Sequence, residues 1–303
     1  MNGSDPSGAS ATAAKRLSTG WPELDAHLGG GLLPGTLTLL VGATGIGKTQ
    51  LGVRFAHAGA VQEGRAGAIL DLGARGDSQN HAPYAQRLCG WEWPRGSELP
   101  AIGPDFFAQC RQLGPYRSAF ERLGRRVTRD SLDAEQWDAW QRELNRRLEG
   151  TIAFLYGHLC AGSRRIVLDG IEPVDRPEES VQLELIEYLD HQLLHKEAEW
   201  VARDVFRQHY RELADQVAAN AYDHRSVAAL ALCTSHELML DDLLGRPLRD
   251  GDLSANANTL IYLGKIRRGD RLTRGLCIAK HRGSACTDEI LEYRITERGP
   301  ELV

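Results

Sequence analysis

The chain has 303 residues, 36 Lys and Arg against 41 Asp and Glu, and a formal net charge of −5. That balance excludes a globally basic surface for nucleic acid, so DNA contact needs a local patch or an assembled ring. The length is enough to bury a sizeable core as one large α/β domain or two small ones, and no apolar run is long enough to span a bilayer.

Residues 1–16, MNGSDPSGASATAAKR, are small and polar, which predicts a disordered leader too poor in apolar residues for a signal peptide. The six cysteines (Cys89, Cys110, Cys160, Cys233, Cys277, Cys286) show neither a C-x-x-C pair nor zinc spacing. Several lie in apolar runs, which predicts reduced structural thiols in a cytoplasmic protein without a membrane segment. The stretch 17–35, LSTGWPELDAHLGGGLLPG, predicts a short helix over 22–28, capped by Ser18 or Thr19 and ended by the glycines 29–31. A buried strand over 36–41 then delivers the chain to 42–49, GATGIGKT, which fits G-x-x-x-x-G-K-[ST]. Gly42, Gly45 and Gly47 allow backbone conformations that a Cβ forbids. The amides of Gly42, Ala43, Thr44, Gly45, Ile46 and Gly47 then cradle an anion at the positive end of a helix that starts near Lys48 and continues through Gln50. Lys48 is expected to reach the β- and γ-phosphates, and the Thr49 hydroxyl to ligate Mg²⁺. This is the pattern of a nucleoside triphosphate site.

The combined stretch STGWPELDAHLGGGLLPGTLTLLVGATGIGKT resembles the opening segment of RecA-superfamily P-loop ATPases, most closely the KaiC and RadA/Sms branches. The resemblance implies ATP as the nucleotide, Mg²⁺ dependence and assembly into a homo-oligomeric ring, a hexamer by analogy. In that family the strand corresponding to 67–72 (GAILDL) ends in an acidic pair, one member of which polarises the attacking water. Gly73 and Ala74 stand there in this chain, a departure from the pattern. Asp71 lies two residues earlier on the same face and is a candidate substitute, Asp77 a weaker one. The alternative is that Asp71 is structural and the base is missing or elsewhere.

The segment 76–150 scatters Pro, Gly and large aromatics among polar residues and reads as an irregular surface insertion of mainly helical character. Within it, 131–148 predicts a helix capped by Ser131 or Asp133, with Trp137, Trp140, Leu144 and Leu148 recurring every three to four residues. Arg122, Arg125, Arg126 and Arg129 form a basic cluster that reads either as a phosphate-backbone contact or as a solvated or inter-subunit face. A helix over 152–160 leads to 164–170, RRIVLDG, an apolar strand ending in Asp. The strand is expected beside the phosphate-loop strand, with Asp169 holding Mg²⁺ through a water. Glu172, just beyond, is a second candidate for the base.

A long helical segment over 178–220 carries an apolar face from Val181, Leu185, Leu189 and Leu193 to Trp200, Val201, Val205, Tyr210, Leu213 and Val217. Its length predicts a helical pair projecting from the core, and His191, His195 and His209 lack the companions of a metal site. Residues 226–234 read as a buried parallel strand, after which Thr234, Ser235 or His236 is placed by the resemblance as a γ-phosphate sensor, with a helix cap at Ser235 the alternative. Residues 259–265, 274–280 and 290–296 read as strands of an antiparallel extension. Lys280 and Arg282 lie two apart on an extended chain and so share a face. The late K-x-R-G resembles that of KaiC-like ATPases, which implies that these two residues reach the nucleotide of the neighbouring subunit; the plainer reading is a basic hairpin turn. Arg267, Arg268, Arg271 and Arg274 add positive charge nearby.

The predicted architecture is α/β: a RecA-like, mostly parallel twisted sheet with helices on both faces, a mainly helical insertion and a C-terminal antiparallel β-extension, all in a single domain over 17–303. The function this implies is an oligomeric ATPase that couples nucleotide state to a protein or DNA partner. Two alternatives stand beside it: a nucleotide-gated switch with weak or no hydrolysis, which the Gly73–Ala74 departure favours, and a RadA-like recombination or repair ATPase.

Overall fold

Strict alternation along the central strands gives the sheet two apolar faces. Leu37 and Leu39, Ile166 and Leu168, and Ala229 and Ala231 belong to one core, whereas Leu40, Val167, Leu230 and Leu232 belong to the other. The computed structural model describes residues 15–73, 81–93, 99–119, 133–172, 180–246, 253–283 and 285–303. Among these residues the strands are β1 (Thr36–Gly42), β2 (Ala68–Asp71), β3 (Tyr116–Ser118), β4 (Arg165–Ile171), β5 (Ala228–Thr234), β6 (Thr259–Arg268), β7 (Arg271–His281), β8 (Leu291–Thr296) and β9 (Gly299–Leu302). They form one sheet in the order β3-β2-β4-β5-β1-β6-β7-β8-β9. Pairing is parallel from β3 to β6 and antiparallel from β6 to β9.

The helices are α1 (Pro22–His27), α2 (Lys48–Gln62), α3 (His81–Cys89), α4 (Phe106–Cys110), α5 (Ala134–Cys160), α6 (Val181–Tyr188), α7 (Ala198–Phe206), α8 (Tyr210–Ala219), α9 (Leu240–Leu244) and α10 (Leu253–Asn256). Residues of α1, α2 and α3 pack into one core, and those of α4 to α8 into the other. The expected α/β architecture with helices on both faces is therefore present.

Several expectations need correction. The strand ending in Asp169 is not beside the phosphate-loop strand: β5 lies between β1 and β4. Spacing along one strand does not reveal which strand lies next to it. Residues 259–265 belong to β6, which pairs in parallel with β1 before it turns into the antiparallel group. Neither Ser18 nor Thr19 caps α1. Instead the Asp25 carboxylate reaches back to accept from the Thr19 amide at 2.7 Å and the Ser18 hydroxyl at 2.5 Å.

The segment 76–150 is less peripheral than its composition predicts. β3 adds a parallel edge strand, and Phe106, Phe107 and Cys110 are buried against Tyr156 and Phe206. The two expected helices there are one, α5, which Asp133 begins with a capping box to Gln136. It runs through Gly150, where an added Cβ would come within 2.7 Å of Leu99 Cδ1. Trp137 and Trp140 are only half-buried, and the fully buried face of α5 starts at Thr151. The segment 178–220 does not project: Leu185, Leu189, Leu193, Val201, Phe206, Leu213 and Val217 are buried in the core, while Trp200 faces solvent. Ala74, Asp77, Ser131 and the arginines at 122, 125, 126 and 129 lie outside the described residues.

Two buried polar groups determine how the layers lock. Arg165, at the start of β4, is fully buried and uses all five N–H donors. Nε and one terminal nitrogen grip the Glu63 carboxylate at 2.8 Å each, and the others reach Gln62 Oε1 and the carbonyls of Ser18 and Phe55. Its guanidinium also lies over the Phe55 ring. His158 on α5 is buried, with Nε2 3.0 Å from the Gly114 carbonyl.

Arg165→Ala would leave Glu63 buried without its partner, and a loss of about 3–5 kcal/mol in urea unfolding is expected; a loss below about 1 kcal/mol would contradict the clamp. Burial, with Arg65 adding repulsion, lowers the His158 pKa to about 4. The unfolded chain therefore binds a proton that the folded one refuses between about pH 6.5 and about pH 4. Stability from this group should fall as pH drops through that window, by about 3 kcal/mol in all, and His158→Phe should flatten that part of the pH–stability curve.

Candidate functional site

The period of two that builds the cores also places the acidic residues. Asp71 shares the face of Ile69, and Asp169 that of Val167, so both side chains lie on the side covered by α2 and α3. Asp71 and Asp169 are register partners on β2 and β4. The register of β4 against β5 then slips between Asp169 and Ile171, a bulge that ends regular pairing just after the carboxylate.

The loop 42–47 connects β1 to α2. Gly47 is the N-cap of α2 at φ 109°, a left-handed conformation that favours glycine, and no side chain caps the first turn. Thr44 and Gly45 are exposed, and space is open around Gly45. Lys48 is 7% exposed, and its Nζ donates to the carbonyls of Gly42 at 2.7 Å and Ala43 at 3.0 Å. Burial lowers its pKa, opposed by the nearby Asp169 and Cys233. Thr49 lies near enough to Asp169 to favour its charged form. Burial pushes the Asp169 carboxyl up, but His81, Thr49 and Lys48 together outweigh it and hold it below the usual carboxylate range.

A desolvated lysine bonded to carbonyls, open loop amides and a hydroxyl close to a carboxylate suit a triphosphate with a hard divalent cation. The loop would hold the phosphates, and Thr49 and Asp169 the metal. The hairpin of β8 and β9 braces the loop from outside. Tyr293 OH donates to the Ile46 carbonyl at 2.8 Å, and a Cβ on Gly47 would lie 3.2 Å from Ile295 Cδ1. Arg54 on α2 donates to the carbonyls of Arg298 and Pro300, and Arg87 on α3 to those of Thr296 and Glu297.

The structure thus brings together Lys48, Thr49, Asp169 and Asp71. Asp71 is 3% exposed, and both its oxygens are engaged: Oδ1 accepts from the Gly73 amide at 2.8 Å and Oδ2 from Tyr116 OH at 2.9 Å. Its pKa is raised by burial against the opposing pull of His81, Gly73 and Tyr116. Glu172 ends the described part of this loop, where its amide donates to Gln182 Oε1 at 3.1 Å. Ser235 is buried, and its hydroxyl donates to the Glu237 carboxylate at 2.6 Å while accepting from the Glu237 amide, so it stabilises the turn after β5. Lys280 and Arg282 stand apart from the loop. The Lys280 Nζ donates to the carbonyls of Ser254 and Ala255 at the end of α10, and Arg282 is exposed. Between them His281 is buried and bonded to Thr259.

One residue escaped the sequence reading. His81, the first residue of α3, places Nε2 2.9 Å from Asp169 Oδ2. A lone histidine in a Pro- and aromatic-rich stretch carries little signal. The available clue was Pro83, which belongs in the first turn of a helix and so puts His81 at a helix start.

Residues 17–93 match the family model described as ATPase: KaiC. The match spans α1, β1, the phosphate loop, α2, β2 and α3, about a quarter of the chain, and leaves Asp169, Glu172, Lys280 and Arg282 beyond it. No curated protein matches the chain. Among the described residues, no helix is long and apolar enough to cross a membrane. Over this segment the chain is similar to RecA-superfamily P-loop ATPases of the KaiC type, and the mostly parallel sheet that carries the segment is consistent with that fold.

Proposed function

We propose that this chain binds ATP with Mg²⁺ through residues 42–50 and hydrolyses it slowly as a ring-forming, cytoplasmic ATPase whose nucleotide state is passed to a protein or DNA partner. The observation that carries this reading is the buried Lys48 ammonium beside the Thr49–Asp169 pair. Among the described residues its hydrogen-bond acceptors are the loop carbonyls of Gly42 and Ala43, so an arriving phosphate offers Lys48 a stronger, charge-assisted partner. The bound Mg²⁺ would neutralise charge on the phosphate oxygens. Loop amides orient the triphosphate, and the hairpin of β8 and β9 limits how far the loop can open. Arg282 is exposed just past the end of β7, the disposition that a residue completing a neighbour's site requires, whereas Lys280 is half-buried and would have to leave the α10 carbonyls to do so.

A nucleotide-operated switch with little hydrolysis is the second reading, and Asp71 favours it. With both oxygens occupied, Asp71 is a poor acceptor for a water proton, which leaves Glu172 as the other candidate for that role among the described residues. The recombination reading ranks lower: of the exposed arginines in the β6–β7 hairpin, Arg268 is already paired with Glu292 at 2.5 Å.

The test is phosphate release alongside light scattering, with and without Mg·ATP, for the wild type, Lys48→Ala and Arg282→Ala. Wild type should assemble and release phosphate, Lys48→Ala should lose both, and Arg282→Ala should bind ATP but turn over at least tenfold more slowly (about 1.4 kcal/mol). Assembly without release by the wild type would select the switch. Failure of the wild type to bind ATP would overturn both readings.

A further inference from the structure

Two carboxylates on adjacent strands, side by side in a buried setting, repel one another unless a group between them supplies donors. Asp71 and Asp169 are such a pair. His81 bridges them from α3: Nε2 lies 2.9 Å from Asp169 Oδ2 and Nδ1 lies 3.9 Å from Asp71 Oδ2. An ionised carboxylate only accepts, so His81 donates to Asp169 from Nε2. The imidazole is itself fixed. It is 3% exposed, and the Tyr116 ring lies 5.1 Å away, with Tyr116 OH holding Asp71 in turn. Two hydrogen-bonded pairs, Tyr116 with Asp71 and His81 with Asp169, thus lie side by side between the edge strand β3 and the phosphate loop, His81 Nδ1 approaching Asp71 to 3.9 Å without a hydrogen bond.

We propose that His81 is a positioning residue for the metal side of the site: by holding Oδ2 it fixes the Asp169 carboxylate in the orientation that binds the cation of a metal–nucleotide complex. The inference rests on the reading of Thr49 and Asp169 as the metal side of an ATP site. Groups that orient a metal-binding carboxylate influence metal affinity more than their distance from the metal implies, by about 10–100-fold. α3 thereby acquires a second role. Its first residue reports on the metal carboxylate, and Arg87, near its other end, grips the β8–β9 turn that braces the loop.

The experiment measures the affinity of a fluorescent, non-hydrolysable ATP analogue in Mg²⁺ and in EDTA for the full-length wild type, His81→Ala and His81→Gln. The ratio of the two affinities is the metal-dependent gain. His81→Ala should reduce that gain by about 10–100-fold while its affinity in EDTA stays within about twofold of wild type. His81→Gln, whose side-chain amide donates from a similar position, should restore most of the gain. An unchanged or larger gain in His81→Ala would overturn the inference. So would an equal loss in both buffers, the mark of a merely structural role, or a glutamine variant as impaired as the alanine one. A wild type that binds the analogue in neither buffer would remove the ATP reading itself, a failure distinct from one confined to the His81 variants.

Discussion

The Arg165–Glu63 pair fixes the far end of α2 to the start of β4, and most of the site depends on that clamp. α2 begins at Lys48 and Thr49 and ends at Gln62, and β4 runs the other way, from Arg165 to the carboxylate Asp169. Locking Gln62 and Glu63 onto Arg165 therefore sets where Lys48 and Thr49 fall relative to Asp169. A buried ion pair is a weak source of net stability, but it is costly to break and specific in geometry. Here all five guanidinium donors have acceptors, one of them the Ser18 carbonyl, so the same residue also ties the segment before α1 to the sheet.

At the other end of α2 the energetics reverse. Lys48 is desolvated and, among the described residues, hydrogen-bonded to neutral carbonyls, and the first turn of α2 has no side-chain cap. Asp169, by contrast, is well supplied, with His81, Thr49 and Lys48 all favouring its charged form. One end of the helix is satisfied within the chain, and the other keeps donors without strong acceptors, which an anion with a cation would supply. That asymmetry is how a rigid fold keeps a binding site ready.

Much of this was legible in the sequence because it is local. The loop 42–49 has a fixed spacing, and the apolar runs in 36–41 and 164–170 give buried strands. What was not legible depends on non-local pairing. Nothing along 164–170 says that β5 will separate it from β1, and nothing in the scattered aromatics of 76–150 says that Tyr116 will join the sheet edge and reach Asp71. His81 was missed for the same reason: its partner is far away in sequence, and the stretch around it carries no periodic pattern. The helices expected over 131–148 and 152–160 are one, with Gly150 inside it where an added Cβ would crowd Leu99. The departure at Gly73 keeps its weight, since the nearest acid, Asp71, is held by Tyr116 and by Gly73 itself.

The central claim is that the loop 42–50 receives a triphosphate and that α3 and the β8–β9 hairpin respond to it. Hydrogen–deuterium exchange of the full chain, with and without Mg·ATP, tests this most directly because it reads backbone amides rather than turnover. The account predicts slowed exchange over 42–50, where the amides gain phosphate acceptors, accompanied by slowed exchange in 81–89 and 291–302. Unchanged exchange over 42–50 at saturating Mg·ATP would contradict it.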